Sequence, residues 1–172
     1  MSEPTLALQK MLRLVKLFEG FSEQDARDFL GIAKRFDASA GETVIREGDN
    51  EADAYIVAAG RLNVVKSCAG ASDTLATLEA GDTFGEVSLL DSGPRSASVV
   101  AASPATLLRF GRSSLAKIPH VSTKVMRNVA KMMAGRLRAT STQATLARVT
   151  LARLTAEPEP VQPAPQVRTQ RH

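Results

Sequence analysis

Apolar residues return at helical spacing from Thr5 to Phe18, at Leu8, Leu12, Val15 and Leu17 or Phe18, with Pro4 at the start and Gly20 as a stop. One amphipathic helix is predicted there. A second opens after Ser22, which has Asp25 three residues on where Glu or Gln is preferred, and its buried side comprises Ala26, Phe29, Leu30, Ala33 and Phe36. The period then changes. Val44, Ile45, Tyr55, Ile56, Val57, Leu62, Val64 and Val65 favour strands, punctuated by turns at Gly41-Glu42, Gly48-Asp49 and Gly60-Arg61. A second strand series covers Leu75 to Leu78, Ser96 to Ala101 and Thr106 to Phe110, and Lys66 to Asp73, which contains Cys68, reads as a hairpin loop. From His120 the pattern is helical again. Met126, Ala130, Met133, Leu137, Thr140, Ala144, Ala147, Leu151 and Leu154 follow one another at alternating steps of four and three, a coiled-coil-like seam with Thr140 as its polar member.

Short strands divided by glycine turns suit a sandwich or roll better than a parallel sheet with crossover helices. The predicted fold is α+β: an antiparallel β-roll, jelly-roll-like, with N-terminal helices packed on its outside and a long C-terminal helix. The segments are 1–37, helical; 38–116, the roll; 117–156, the C-terminal helix; and 157–172, where repeated prolines predict a disordered or extended tail. The seam predicts a homodimer through the 126–154 helix; the alternative is a single helix packed on its own roll.

Composition narrows this picture. A chain of 172 residues suffices for one well-packed domain with accessory elements, and six Phe, one Tyr and no Trp make its core largely aliphatic. A single cysteine, Cys68, forms no intramolecular disulfide, so a reducing, cytoplasmic setting is expected. No secretory signal is read at the amino terminus, and no stretch approaches 18 uncharged apolar residues, so no membrane span is expected. The net charge of +4 hides two unlike halves: residues 1–116 carry 12 basic and 16 acidic residues, residues 117–172 carry 10 and 2. The basic half suits an acidic partner or simply a solvated face. His120 and His172 are not arranged as a metal set, which argues against a metal-dependent enzyme.

Candidate chemistry gathers in Leu78 to Val100, LEAGDTFGEVSLLDSGPRSASVV. Gly85 permits backbone angles or a close approach that a side chain would block. A short helical turn from Glu86 to Leu90 can aim amides at an anion, Arg95 can add a charge-assisted hydrogen bond, and Ser96 offers another donor. Glu86 would be repelled by that anion unless it grips a hydroxyl of the same ligand. The simpler alternatives are a surface Glu86–Arg95 ion pair, ordinary turns at Gly81-Asp82 and Gly93-Pro94, and a Ser96 that only caps or solvates.

Phe84-Gly85-Glu86, Leu89-Leu90 and Pro94-Arg95-Ser96-Ala97, preceded by Gly41-Glu42, Gly48-Asp49, Tyr55-Ile56-Val57 and Gly60, resemble the cyclic nucleotide-binding domain family of bacterial cyclic-AMP receptor-type regulators, kinase regulatory subunits and gated channels. The similarity covers roughly residues 18 to 135. It implies that Glu86 accepts from the ribose 2′-hydroxyl, that Arg95 pairs with the cyclic phosphate, and that amides of Gly85, Glu86, Ser96 and Ala97 complete the cradle. Val87 and Ser88 stand where many relatives have leucine and alanine, and are read as modest packing changes. Thr140 and Ser141 resemble the polar helical positions that contact adenine in the bacterial regulators; which of them faces the ligand stays open.

The resemblance implies a cytoplasmic receptor that binds cyclic AMP in preference to cyclic GMP, signals by movement of its C-terminal helix to an effector protein, and catalyses nothing. Relatives that prefer cyclic GMP often carry threonine where this chain has Ser96. Alternatives are a cyclic GMP receptor, a transcription-regulator-like protein, or an adaptor that works without nucleotide. Sequence-specific DNA binding is not expected, because residues 156–172 hold no reading helix.

Overall fold

Ser22 starts a helix by exchanging hydrogen bonds with the residue three positions on. Its hydroxyl accepts from the Asp25 amide at 3.1 Å, and the Asp25 carboxylate accepts from the Ser22 amide at 2.7 Å. Asp therefore closes the capping box in place of the usual Glu. The computed structural model describes residues 3–68, 71–91 and 93–155. The predicted tail, 157–172, lies outside them, as does His172.

Helix α1 spans Glu3–Leu14; Val15 is extended, and a separate 3-10 turn covers Lys16–Phe18, so the single helix predicted to Phe18 is interrupted. Helix α2, Glu23–Ile32, ends earlier than its apolar pattern suggests. Phe36 belongs instead to a strand, β1 (Lys34–Ala38). The remaining strands are β2 (Thr43–Ile45), β3 (Asp53–Ala59), β4 (Leu62–Cys68), β5 (Ala71–Leu78), β6 (Thr83–Phe84), β7 (Ser98–Ala101) and β8 (Ala105–Gly111). A four-residue helix α3, Arg112–Leu115, precedes α4, Pro119–Thr155. Cys68 and Ala71 are cross-strand partners, so the β4–β5 hairpin runs well into the predicted loop.

The expected jelly-roll-like β-roll is corrected by the strand pairing. Among the described residues the strands form two separate four-stranded antiparallel sheets, ordered β1-β8-β3-β6 and β2-β7-β4-β5, with no ladder joining one to the other. The reason lies in the connections. Apart from the β4–β5 hairpin, each successive strand joins the opposite sheet, so chain neighbours face each other across the core and do not pair. The edge strands β2 and β6 are also short, three and two residues, leaving little backbone with which to close a seam. The β3–β4 crossing turns at Gly60, where φ is +90° and an added Cβ would lie 2.4 Å from the Pro104 carbonyl oxygen.

Strand β3 is buried on both faces, and its alternation builds two cores. Ala54 and Ile56 face one way, joining Phe110 with Leu17, Phe18 and Phe29 of the N-terminal helical segment. Tyr55 and Val57 face the other way, meeting Leu62, Leu78 and Val99 from the second sheet. The N-terminal helices thus pack on the outside of the first sheet, as the sequence predicts.

Helix α4 joins the first core through Val121, Val125 and Val129, spaced by four. Asn128 on the same stretch donates from Nδ2 to the carbonyls of Leu17 and Glu19, each at 2.8 Å. Met126 and Met133 of the predicted seam pack against this core, while Ala130 is exposed. By contact the chain divides into two units, Met1–Met133 and Ala134–His172. In the second, Leu137 and Leu146 are 72% and 61% exposed on the helix. Among the described residues no helix is long and apolar enough to cross a membrane.

Candidate functional site

Tyr55 stacks on Phe84 with ring centroids 5.2 Å apart, and the two residues are cross-strand partners where β3 meets β6. This stack fixes the point at which β6 ends and Gly85 begins. Gly85 takes φ 71°, ψ 6°, a left-handed conformation, and caps a 3-10 turn from Glu86 to Leu89. An added Cβ would sit 2.9 Å from Arg95 Nη1 and 3.0 Å from the Asp53 carbonyl oxygen. Glycine is therefore required twice, for its backbone angles and for the approach of the arginine. The far end of the turn is held by Arg112, whose Nε donates to the Leu89 carbonyl at 2.8 Å.

Arg95 is gripped along its main chain by the Gly48-Asp49 turn. Its amide donates to the Asp49 carbonyl at 2.8 Å, and its own carbonyl accepts from the Gly48 amide at 2.9 Å. The guanidinium then reaches back under the turn. Nη1 donates to the Gly85 carbonyl at 3.0 Å and to the Ser88 hydroxyl at 2.8 Å, and Nη2 donates to the Asp53 carbonyl. All three acceptors are neutral. Nε is buried without a hydrogen-bond partner. Arg95 is only 6% exposed and Glu86 1%, so a surface ion pair does not describe them. Burial lowers the pKa of the Arg95 guanidinium from its ordinary value, while Tyr55, Glu51, Asp53 and Glu86 pull it back up. Burial likewise raises the Tyr55 hydroxyl, against the pull of Arg109.

A buried cation held by neutral dipoles, beside a left-handed glycine and a buried carboxylate, is suited to receiving an anion. Gly85, Glu86 and Arg95 meet in one place. Ser96 is exposed, with its carbonyl accepting from Lys66 Nζ at 2.9 Å, and Ala97 is half-buried. Thr140 and Ser141 are exposed on α4, in the second unit. Among the described residues no cluster of three or more His, Cys, Asp or Glu could hold a metal ion.

Two partners of the arginine escape a reading of the sequence. Ser88 reads there as a packing change, yet its hydroxyl holds the guanidinium; a polar residue among Val87, Leu89 and Leu90 was the available signal. Asp53 contributes its main-chain oxygen, which leaves no trace in residue identity and follows only from the pairing of β3 with β6.

A family model described as cyclic nucleotide-binding domain matches residues 35–120. The chain is 34% identical over 123 residues to the cyclic AMP receptor protein of Thermus thermophilus, an alignment covering 71% of this chain and 57% of that protein. The crystal structure of the Thermus thermophilus catabolite activator protein superposes with a TM-score of 0.72 at 32% identity, over 77% of this chain and 63% of that one. The N-terminal domain of a transcriptional regulator from Streptomyces coelicolor gives 0.66 at 27%, over 76% of this chain and 94% of that domain. The chain thus spans little more than half of the receptor protein and nearly the whole of the isolated regulator domain. Its relatives are regulatory rather than catalytic, and with the family model covering half of its length the chain belongs to the cyclic nucleotide-binding domain family.

Proposed function

We propose that this chain is the ligand-sensing module of a transcription-regulator-type protein, and that its ligand is a 3′,5′-cyclic nucleotide. The observation that carries the reading is Arg95: a buried guanidinium held by two carbonyls and a hydroxyl, next to Gly85 and the buried Glu86. A cyclic phosphate supplies the counter-charge that these neutral acceptors lack. Glu86 then accepts the ribose 2′-hydroxyl, and amides of Gly85, Glu86, Ser96 and Ala97 line the phosphate. The regulatory character of the relatives supports the transcription-regulator reading.

Cyclic AMP is the preferred ligand in this proposal. A receptor for that nucleotide is among the relatives, and residue 96 is serine, not threonine. Thr140 or Ser141 would meet the base when α4 moves, and the same movement would present the exposed Leu137 side of the helix to a second copy or an effector. The setting is cytoplasmic. Titration calorimetry with cyclic AMP and cyclic GMP tests the reading: saturable binding of one equivalent, tighter for cyclic AMP, is expected. Absence of heat with both at millimolar ligand would sink it and leave the nucleotide-independent adaptor.

A further inference from the structure

A cavity of about 590 Å³ opens where the end of α2, the first residues of β1 and β3, the last residues of β8 and α3 converge; Asp53, whose main-chain oxygen holds Arg95, is part of its lining. That volume suits a small molecule. Three cations line it, Lys34, Arg109 and Lys117, against a single carboxylate, Asp53. Two of the cations are forced together by the sheet: Lys34 and Arg109 are directly opposed cross-strand partners on β1 and β8. Like charges in that position repel. Asp53 offsets part of this repulsion by pairing with Arg109, its carboxylate lying over Gly111, where an added Cβ would stand 2.4 Å from Oδ1. Lys34 and Lys117 are both exposed, and the one acid lining the cavity, Asp53, is paired with Arg109.

We infer that this cavity is a second binding site, adjoining the cassette at Asp53, for a small molecule bearing a multiply charged anionic group, held by Lys34, Arg109 and Lys117. The anion takes the space between the opposed Lys34 and Arg109, and competes with the Asp53 carboxylate for the guanidinium. Ile32, half-buried, offers an apolar patch for the uncharged part of the ligand.

Inorganic pyrophosphate is the probe, titrated calorimetrically into the full chain at low salt. Parent protein is expected to bind one equivalent, and Lys34→Ala with Lys117→Ala to bind about tenfold more weakly or worse. Asp53→Asn, which removes the competitor for Arg109 and leaves the main-chain carbonyl in place, should bind more tightly than the parent. The double lysine variant separates the cavity from the cassette, whose own failure would show only with cyclic nucleotide. No binding, unchanged binding in the double lysine variant, or weaker binding in Asp53→Asn would each overturn the second site.

Discussion

Arg95 needs its fork. Its two terminal nitrogens point at different elements, Nη1 at the 3-10 turn and Nη2 at the start of β3, so a lysine ammonium cannot serve both. Arg95→Ala should weaken cyclic nucleotide binding by roughly a hundredfold or more, and Arg95→Lys should recover little of it; calorimetry on both, with circular dichroism to verify the fold, checks this. Glu86→Ala should cost about tenfold, the scale of one hydrogen bond to a charged acceptor. Parent-like affinity in Arg95→Ala would place the ligand elsewhere. Gly85→Ala is a stability prediction: the positive φ and the 2.9 Å approach of Arg95 Nη1 should together lower unfolding free energy by about 1–3 kcal/mol, read as a lower urea midpoint. An unchanged midpoint would mean that the turn relaxes.

Among elements, the attachment of α4 to the N-terminal helices carries a pH signature. Asp25 accepts from Lys124 Nζ at 2.6 Å as well as from Ser22, and these bonds hold its carboxyl at about 2, against burial, which pushes the other way. A depressed carboxylate stabilises the fold above its unfolded pKa and ceases to do so as pH falls through the folded value. The contribution, on the order of 2 kcal/mol, should be intact at pH 5 and above and fade between about pH 4 and 2. Urea unfolding of the parent and of Asp25→Asn across that range measures it: the variant should be weaker at pH 7, with the difference shrinking at low pH. A difference independent of pH would assign the effect to packing.

The elements also divide according to how plainly they can be read. The Ser22 cap, the strand at Tyr55–Val57 and the helical turn after Gly85 follow from local chemistry and were legible. Strand β1 was not, because it is an edge strand with mostly exposed residues, and Ala33 and Phe36 complete a helical stripe just as well. The packed face of α4 was missed for a related reason: Val121, Val125 and Val129 are β-branched, while the Met–Ala–Leu series offers a regular competing seam. The expected roll is not formed: period-2 patterning shows that strands alternate faces without showing which strands pair.

At the scale of the whole molecule, the chain contains two kinds of apolar surface. One is used within Met1–Met133, where the helix-side core consumes Met126 and Met133. The other remains on α4, where Leu137 and Leu146 are exposed in water. Burying Leu137, the seam member of the two, against a second copy would be favourable by about 25 cal/mol per Å² before the cost of association. Leu137→Glu with Leu151→Glu should halve the mass seen by sedimentation equilibrium while cyclic nucleotide still binds; a parent mass that is already monomeric would remove the dimer.

Asp53 enters the cassette through its peptide oxygen, and that has a practical corollary for anyone mapping this protein by mutagenesis. An exhaustive scan of position 53 would grade each substitution by its effect on Arg109 and never register the contact with Arg95, since every amino acid brings the same acceptor. Only a shift of strand register, or a backbone ester in place of the following amide, would expose that tether.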